Sequence, residues 1–225
     1  MADGSDSSPY QVVCEGGADL TFITKLLQAR WGVHDFGVRC TKTGKDNRCA
    51  GTSGLTETLQ ALDAIRATKA GAARGIAIVF DSDDDATSSF DNIVKSIREA
   101  KLKYPLPDRP LEVKAGNPSI AVALIPWIDR KGHLDELIFE ALNDSHRDLL
   151  QPIEDFRMAT SHRTGSWSFG AQSKMKLRCM LAASHQRDPG IALNYWLQSS
   201  GCPVDLWHPC FDQLMAFFED FRNKA

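Results

Sequence analysis

Residues 75–85 read GIAIVFDSDDD, an apolar run that passes without a spacer into four carboxylates. Ile76, Ile78 and Val79 are β-branched, and the unbroken apolar stretch predicts a strand covered on both faces. Such strands build parallel sheets, whose ligands gather at the carboxyl ends of the strands. Asp81 stands at that end. Asp83 follows two residues later, and an extended chain points alternate side chains the same way. Asp81 and Asp83 are therefore expected to face one ion, with Ser82 turned elsewhere. Asp84 and Asp85 are expected to be solvated or to cap the next helix. The competing interpretation makes the whole turn a solvated cap.

Working outward, residues 10–14 (YQVVC) read as another buried strand, ending in the turn Glu15-Gly16-Gly17. A helix over residues 18–31 places Leu20, Ile23, Leu26, Leu27 and Trp31 on one face. Residues 37–41 form a weak strand, 43–54 a polar loop and 55–70 a second helix. Downstream, residues 90–102 are helical, and prolines at 105, 107 and 110 then break the chain. Residues 111–113 suggest a short extra strand, 120–126 an apolar strand and 134–143 an amphipathic helix. This alternation predicts an α/β core over residues 10–145, with a mostly parallel four-stranded sheet flanked by helices. Residues 1–9, rich in Ser and Asp, are expected to be a disordered lead-in and not a signal peptide. Residues 146–225 are expected to be a helical extension packed on the core. In it, 157–172 read as a polar loop and 173–184, 190–197 and 209–221 as helices.

The net charge of −3 does not advertise a nucleic-acid partner, so local clusters matter more than the total. Arg157, Arg163, Lys174, Lys176 and Arg178 fall in a stretch without Asp or Glu, interleaved with Trp167 and Phe169. Arg39, Lys42, Lys45 and Arg48 form a second cluster. Both are read as segments that engage phosphates, or else as solvated loops. No apolar run approaches the roughly 20 residues of a membrane span. None of the six cysteines lies in a CxxC pair, which points to reduced thiols in a cytoplasmic protein. A metal shared by Cys202, His208 and Cys210 is set aside on the same ground.

Carboxylates brought together raise one another's pKa unless positive charge lies between them. Glu15 at one strand end and Asp81 and Asp83 at another therefore point to a hard cation, Mg²⁺ or Mn²⁺, which takes oxygen ligands. Such an ion polarises phosphoryl oxygens and lowers the pKa of bound water.

VVCEGGAD (residues 12–19) before a helix, and then IAIVFDSDDD (76–85), resemble the Toprim domain shared by topoisomerases, bacterial primases and small nucleases. EGGAD and ALIPWIDRKGHLDELIFEAL (123–142) are most similar to small stand-alone Toprim proteins related to OLD-type nucleases. The resemblance implies that Glu15 is a metal ligand or proton-transfer group and that Asp81 and Asp83 are the family's metal-binding pair. It implies further ligands at Asp19 and at Asp135 or Glu136. It also implies a late lysine, Lys174 or Lys176, that neutralises charge on the phosphate. The implied activity is hydrolysis of phosphodiesters in DNA or RNA by a metal-activated water. Full OLD proteins carry an ATPase, and no Walker A sequence occurs here, so an ATPase would be a separate subunit. Topoisomerase and primase roles are set aside: the chain has three tyrosines, and only nine residues precede Tyr10. Two other readings remain. One is a haloacid-dehalogenase-like phosphatase with Asp81 as nucleophile, although Asp85 stands where that family has Thr or Val. The other is a non-catalytic Toprim-fold interaction subunit.

Overall fold

The computed structural model describes residues 8–32, 35–43, 48–68, 73–127, 129–185, 188–199 and 201–225. The apolar runs become the centre of a sheet: β1 (Tyr10–Cys14), β3 (Gly75–Asp81) and β5 (Ser119–Ile125) are buried along almost their whole length. β2 (Phe36–Cys40) lies outside β1, and the two-residue β4 (Val113–Lys114) lies outside β5, giving the order β2-β1-β3-β5-β4. The first four strands of this row run parallel, and β4 pairs antiparallel with β5. The four expected strands are all present, and the edge strand makes a fifth. Leu111, expected in that strand, instead has φ 64° and donates its N–H to the Val122 carbonyl at 2.7 Å.

Side chains alternate across the sheet as period-two geometry requires. Val12, Cys14, Ala77, Val79, Ala121 and Ala123 share a core with α1 (Gly17–Trp31), α4 (Leu134–Asn143), α7 (Phe169–Ser184), α8 (Leu193–Gln198) and α9 (Asp212–Lys224). Val13, Ile76, Ile78, Ile120 and Val122 face the other way, against α2 (Leu55–Thr68) and α3 (Ala86–Glu99). Phe211, Leu214, Phe217, Phe218 and Phe221 join the first core, so the last helix packs on the same apolar mass as β1 and α1.

Residues 157–172 are not the polar loop expected. α5 (Arg147–Ala159) and α6 (Ser161–Thr164) occupy half of that stretch, and α7 starts at Phe169 with the Ser168 hydroxyl accepting the Ala171 N–H at 3.2 Å. The polar composition masked a helix whose few apolar side chains, Leu149, Leu150 and Ile153, reach the core. The cysteine expectation also needs correction. Cys40 and Cys49 form a disulfide with their Cα atoms 5.7 Å apart, while Cys14, Cys179, Cys202 and Cys210 are free. An antiparallel bridge between Lys42 and Cys49 folds the chain back beside the end of β2 and brings the two thiols together. The Cys210 thiol meets the Leu137 carbonyl, and the His208 side chain caps its own short helix. Most of the lead-in (1–7) and residues 44–47, including Lys45, lie outside the described residues. Among the described residues, no helix is long and apolar enough to cross a membrane.

Candidate metal centre

β1 and β3 are neighbours in parallel register, with Cys14 opposite Val79, so Glu15 and Asp81 leave the sheet at the same edge. The first turns of α1 and α4 add Asp19 and Asp135. Glu15, Asp19, Asp81 and Asp135 line one cleft of about 360 Å³, whose lining also includes Lys174 and Arg178. Residues 174 and 178 are one helical turn apart on α7 and so share a face.

Asp83, Glu136 and Lys176 stand outside that lining. Asp83 does not continue the strand: its φ is 52°, and its backbone pairs with Gly132 through N–H···O bonds of 2.9 and 2.8 Å. The alternation expected of an extended Asp-x-Asp therefore fails here. Both carboxylates nonetheless meet on one imidazole, because Nδ1 of His133 lies 3.0 Å from Asp81 Oδ2 and 3.5 Å from Asp83 Oδ1. Asp81 Oδ1 accepts the Leu134 N–H at 3.0 Å, which ties the end of β3 to the start of α4. Ser82 is fully buried, and its hydroxyl bonds to the Arg130 carbonyl at 2.9 Å. Asp85 caps α3 by accepting the Thr87 N–H, as its position suggested.

Glu136 turns away from the cleft, and its carboxylate accepts the Ser173 hydroxyl at 2.6 Å. Gly132 makes room for it: at φ 135°, a Cβ there would meet the Glu136 carboxylate at 2.5 Å. Lys176 lies 3.8 Å from Glu154, and the Arg157 guanidinium also pairs with Glu154. An acid from α5 thus balances the stretch that read as purely basic. In the other basic cluster, Arg39 is held on the sheet by Gln11, 2.7 Å away.

Burial lifts the Asp19 carboxyl to about 7, with the Asp81 charge adding to the shift. Burial likewise raises Asp81 to about 6, against the pull of its hydrogen bond to His133. Glu15 is raised by burial and then by the charges of Asp83 and Asp19. The hydrogen bond to Asp81 raises His133 above its usual range. Asp19 also accepts the Gly16 N–H at 2.7 Å, so one carboxylate both caps α1 and faces the cleft. As now turned, no three His, Cys, Asp or Glu side chains among the described residues stand in metal-ligand geometry. The donor set still fits a hard divalent cation, being carboxylate oxygens whose charges oppose one another across a shared cleft.

His133 was not foreseen. It precedes the helix that carries Asp135, and only contact between loops distant in sequence brings it to Asp81. Arg178 was seen as part of a basic stretch and not as a cleft residue. Gly170 was also missed: a Cβ there would lie 1.9 Å from His133 Nε2, so the first turn of α7 sits flush against the imidazole.

Comparison with curated proteins and with solved structures finds no significant match. Residues 9–223 match the family described as "Protein of unknown function (DUF3226)", and the chain belongs to that family.

Proposed function

We propose that this chain is a Toprim-type phosphodiesterase that hydrolyses nucleic acid with the help of Mg²⁺ or Mn²⁺. The observation that carries this is the meeting of Glu15, Asp19, Asp81 and Asp135, from four separate elements, in a cleft that also holds Lys174 and Arg178. Glu15, Asp81 and Asp83 would hold the ion, with Asp19 and Asp135 at its flank. When bound, the ion supplies Lewis-acid polarisation of a phosphoryl oxygen and acidifies a water. The chain's own residues do the rest. Lys174 and Arg178, exposed across the cleft, receive the phosphate and offset charge that grows on it. The alternative role for Glu15, whose carboxyl is raised by burial, is to take a proton from the attacking water in place of holding the ion.

Asp81 has both carboxylate oxygens engaged, by Leu134 N–H and by His133, which disfavours its use as a phosphatase nucleophile. The engagement of Asp81 and Asp83 with His133 supports a second reading, a Toprim-like fold that serves only as an interaction subunit. Incubating the purified protein with single-stranded DNA, plasmid and RNA, each with Mg²⁺ or Mn²⁺, separates the two. Cleavage that an Asp81→Asn/Asp83→Asn variant lacks supports the nuclease. Equal cleavage by that variant rejects the site, and no cleavage by the wild type favours the subunit.

A further inference from the structure

A second cavity, of about 240 Å³, shares the α4–α7 seam with the acidic cleft but has no lining residue in common with it. On α4 it is lined by Glu136, Phe139, Glu140 and Asn143, the spacing of one helical face. We propose that this cavity receives one unpaired base of the nucleic-acid strand whose phosphate lies in the acidic cleft. The inference rests on the nucleic-acid reading above and adds to it the single-stranded form of the substrate.

Three features select a base. Phe139 and Phe169 supply aromatic surface, and Phe169 is 46% exposed although it sits at a packed helix start. Bases of any sequence stack on such rings, at roughly tenfold in affinity for each. Asn143 also lines the cavity, and its side-chain amide is a group that pairs with the hydrogen-bonding edge of a base. The charges in the lining balance: Arg130 pairs with Glu140 at 3.1 Å, and Lys176 stands with Glu136 in the same wall. A neutral flat ring bearing amino groups matches such a wall better than an ion.

The location joins the base to the chemistry. Asp135 faces the cleft and Glu136 the cavity; Lys174 faces the cleft and Ser173 the cavity. The two sites therefore adjoin along the same two helices, α4 and α7. A base held in a duplex does not reach such a pocket without leaving its stack.

The test is equilibrium binding of a short fluorescein-labelled single-stranded oligonucleotide, with Ca²⁺ replacing Mg²⁺, read by anisotropy. Phe169→Ala and Asn143→Ala should each weaken binding at least fivefold, and Trp207→Ala, at an exposed aromatic outside both sites, should not. An abasic position scanned along the oligonucleotide should cost the wild type roughly tenfold at one place and cost Phe169→Ala nothing further there. The proposal is overturned by Phe169→Ala binding within twofold of wild type, or by an abasic penalty that survives in that variant. Binding in Ca²⁺ that Phe169→Ala loses, together with no cleavage of the same oligonucleotide in Mg²⁺ or Mn²⁺, keeps the base site and removes the hydrolysis reading; no binding by the wild type overturns both.

Discussion

Replacing Gly170 with alanine tests whether His133 is seated as described. The new Cβ would lie 1.9 Å from Nε2 and 2.5 Å from Cδ2 of the imidazole, so the ring must recede by about 1.5 Å to reach ordinary contact. That retreat carries Nδ1 toward Asp81 Oδ2, only 3.0 Å away, so the ring must swing aside and give up that bond. Losing a hydrogen bond to a charged group costs about 1.5–3 kcal/mol, and overpacking costs about 1–3 kcal/mol where the ring cannot move freely. Alanine in place of glycine in a helix returns up to about 1 kcal/mol. The balance is a loss of about 1.5–5 kcal/mol, measured by urea unfolding at pH 7. The control is the same substitution in a His133→Ala background, where the space is already open. There Gly170→Ala should be neutral or slightly stabilising. If it destabilises both backgrounds equally, the cost comes from the helix and not from His133, and the argument fails.

The raised carboxyls set a pH dependence. Asp19, Asp81 and Glu15 bind protons more tightly folded than unfolded, and His133 does the same. Stability without metal should therefore fall as pH rises from about 4 through their folded values near 6 and 7, and level off above. The fall between pH 5 and 8 should be on the order of 2–3 kcal/mol, and Asp19→Asn should flatten it; stability that increases over this range contradicts the electrostatics. Of the two lysines singled out, only Lys174 faces the carboxylates, and Lys174→Ala should cut turnover about 100-fold at saturating metal with unfolding unchanged. Wild-type turnover in that variant removes the role. The Cys40–Cys49 disulfide closes a short loop, nine residues in separation, and its reduction should lower unfolding stability by about 2–3 kcal/mol. Coincident urea curves with and without reductant would contradict that bond.

The sheet was legible because its strands are apolar without interruption, and few other structures accept such runs at a length of five to seven residues. β2 was weaker in sequence because it is an edge strand with only Gly37 and Cys40 buried. α5 was hidden for a different reason. It touches the core along a narrow line, and Ile153 is its one buried residue, so its composition resembles a loop. The 40–49 disulfide had no local signature either, since its geometry depends on the backbone returning to the end of β2.

In the site, strand-end position was enough to find Glu15 and Asp81, because parallel register carries both to one edge. It was not enough to orient Asp83, because the rule of alternation assumes an extended backbone and this one bends to pair with Gly132. The same glycine decides between the adjacent acids of α4. Successive residues of a helix point about 100° apart, so Asp135 and Glu136 cannot both face the cleft. Gly132 leaves the space that Glu136 fills, and Ser173 receives its carboxylate from α7. Glu136 thereby joins α4 to the helix that carries Lys174, while Asp135 is left to the cleft. One missing Cβ at position 132 thus sorts two neighbouring acids between positioning a helix and facing the cleft, a division no local pattern in the chain expresses.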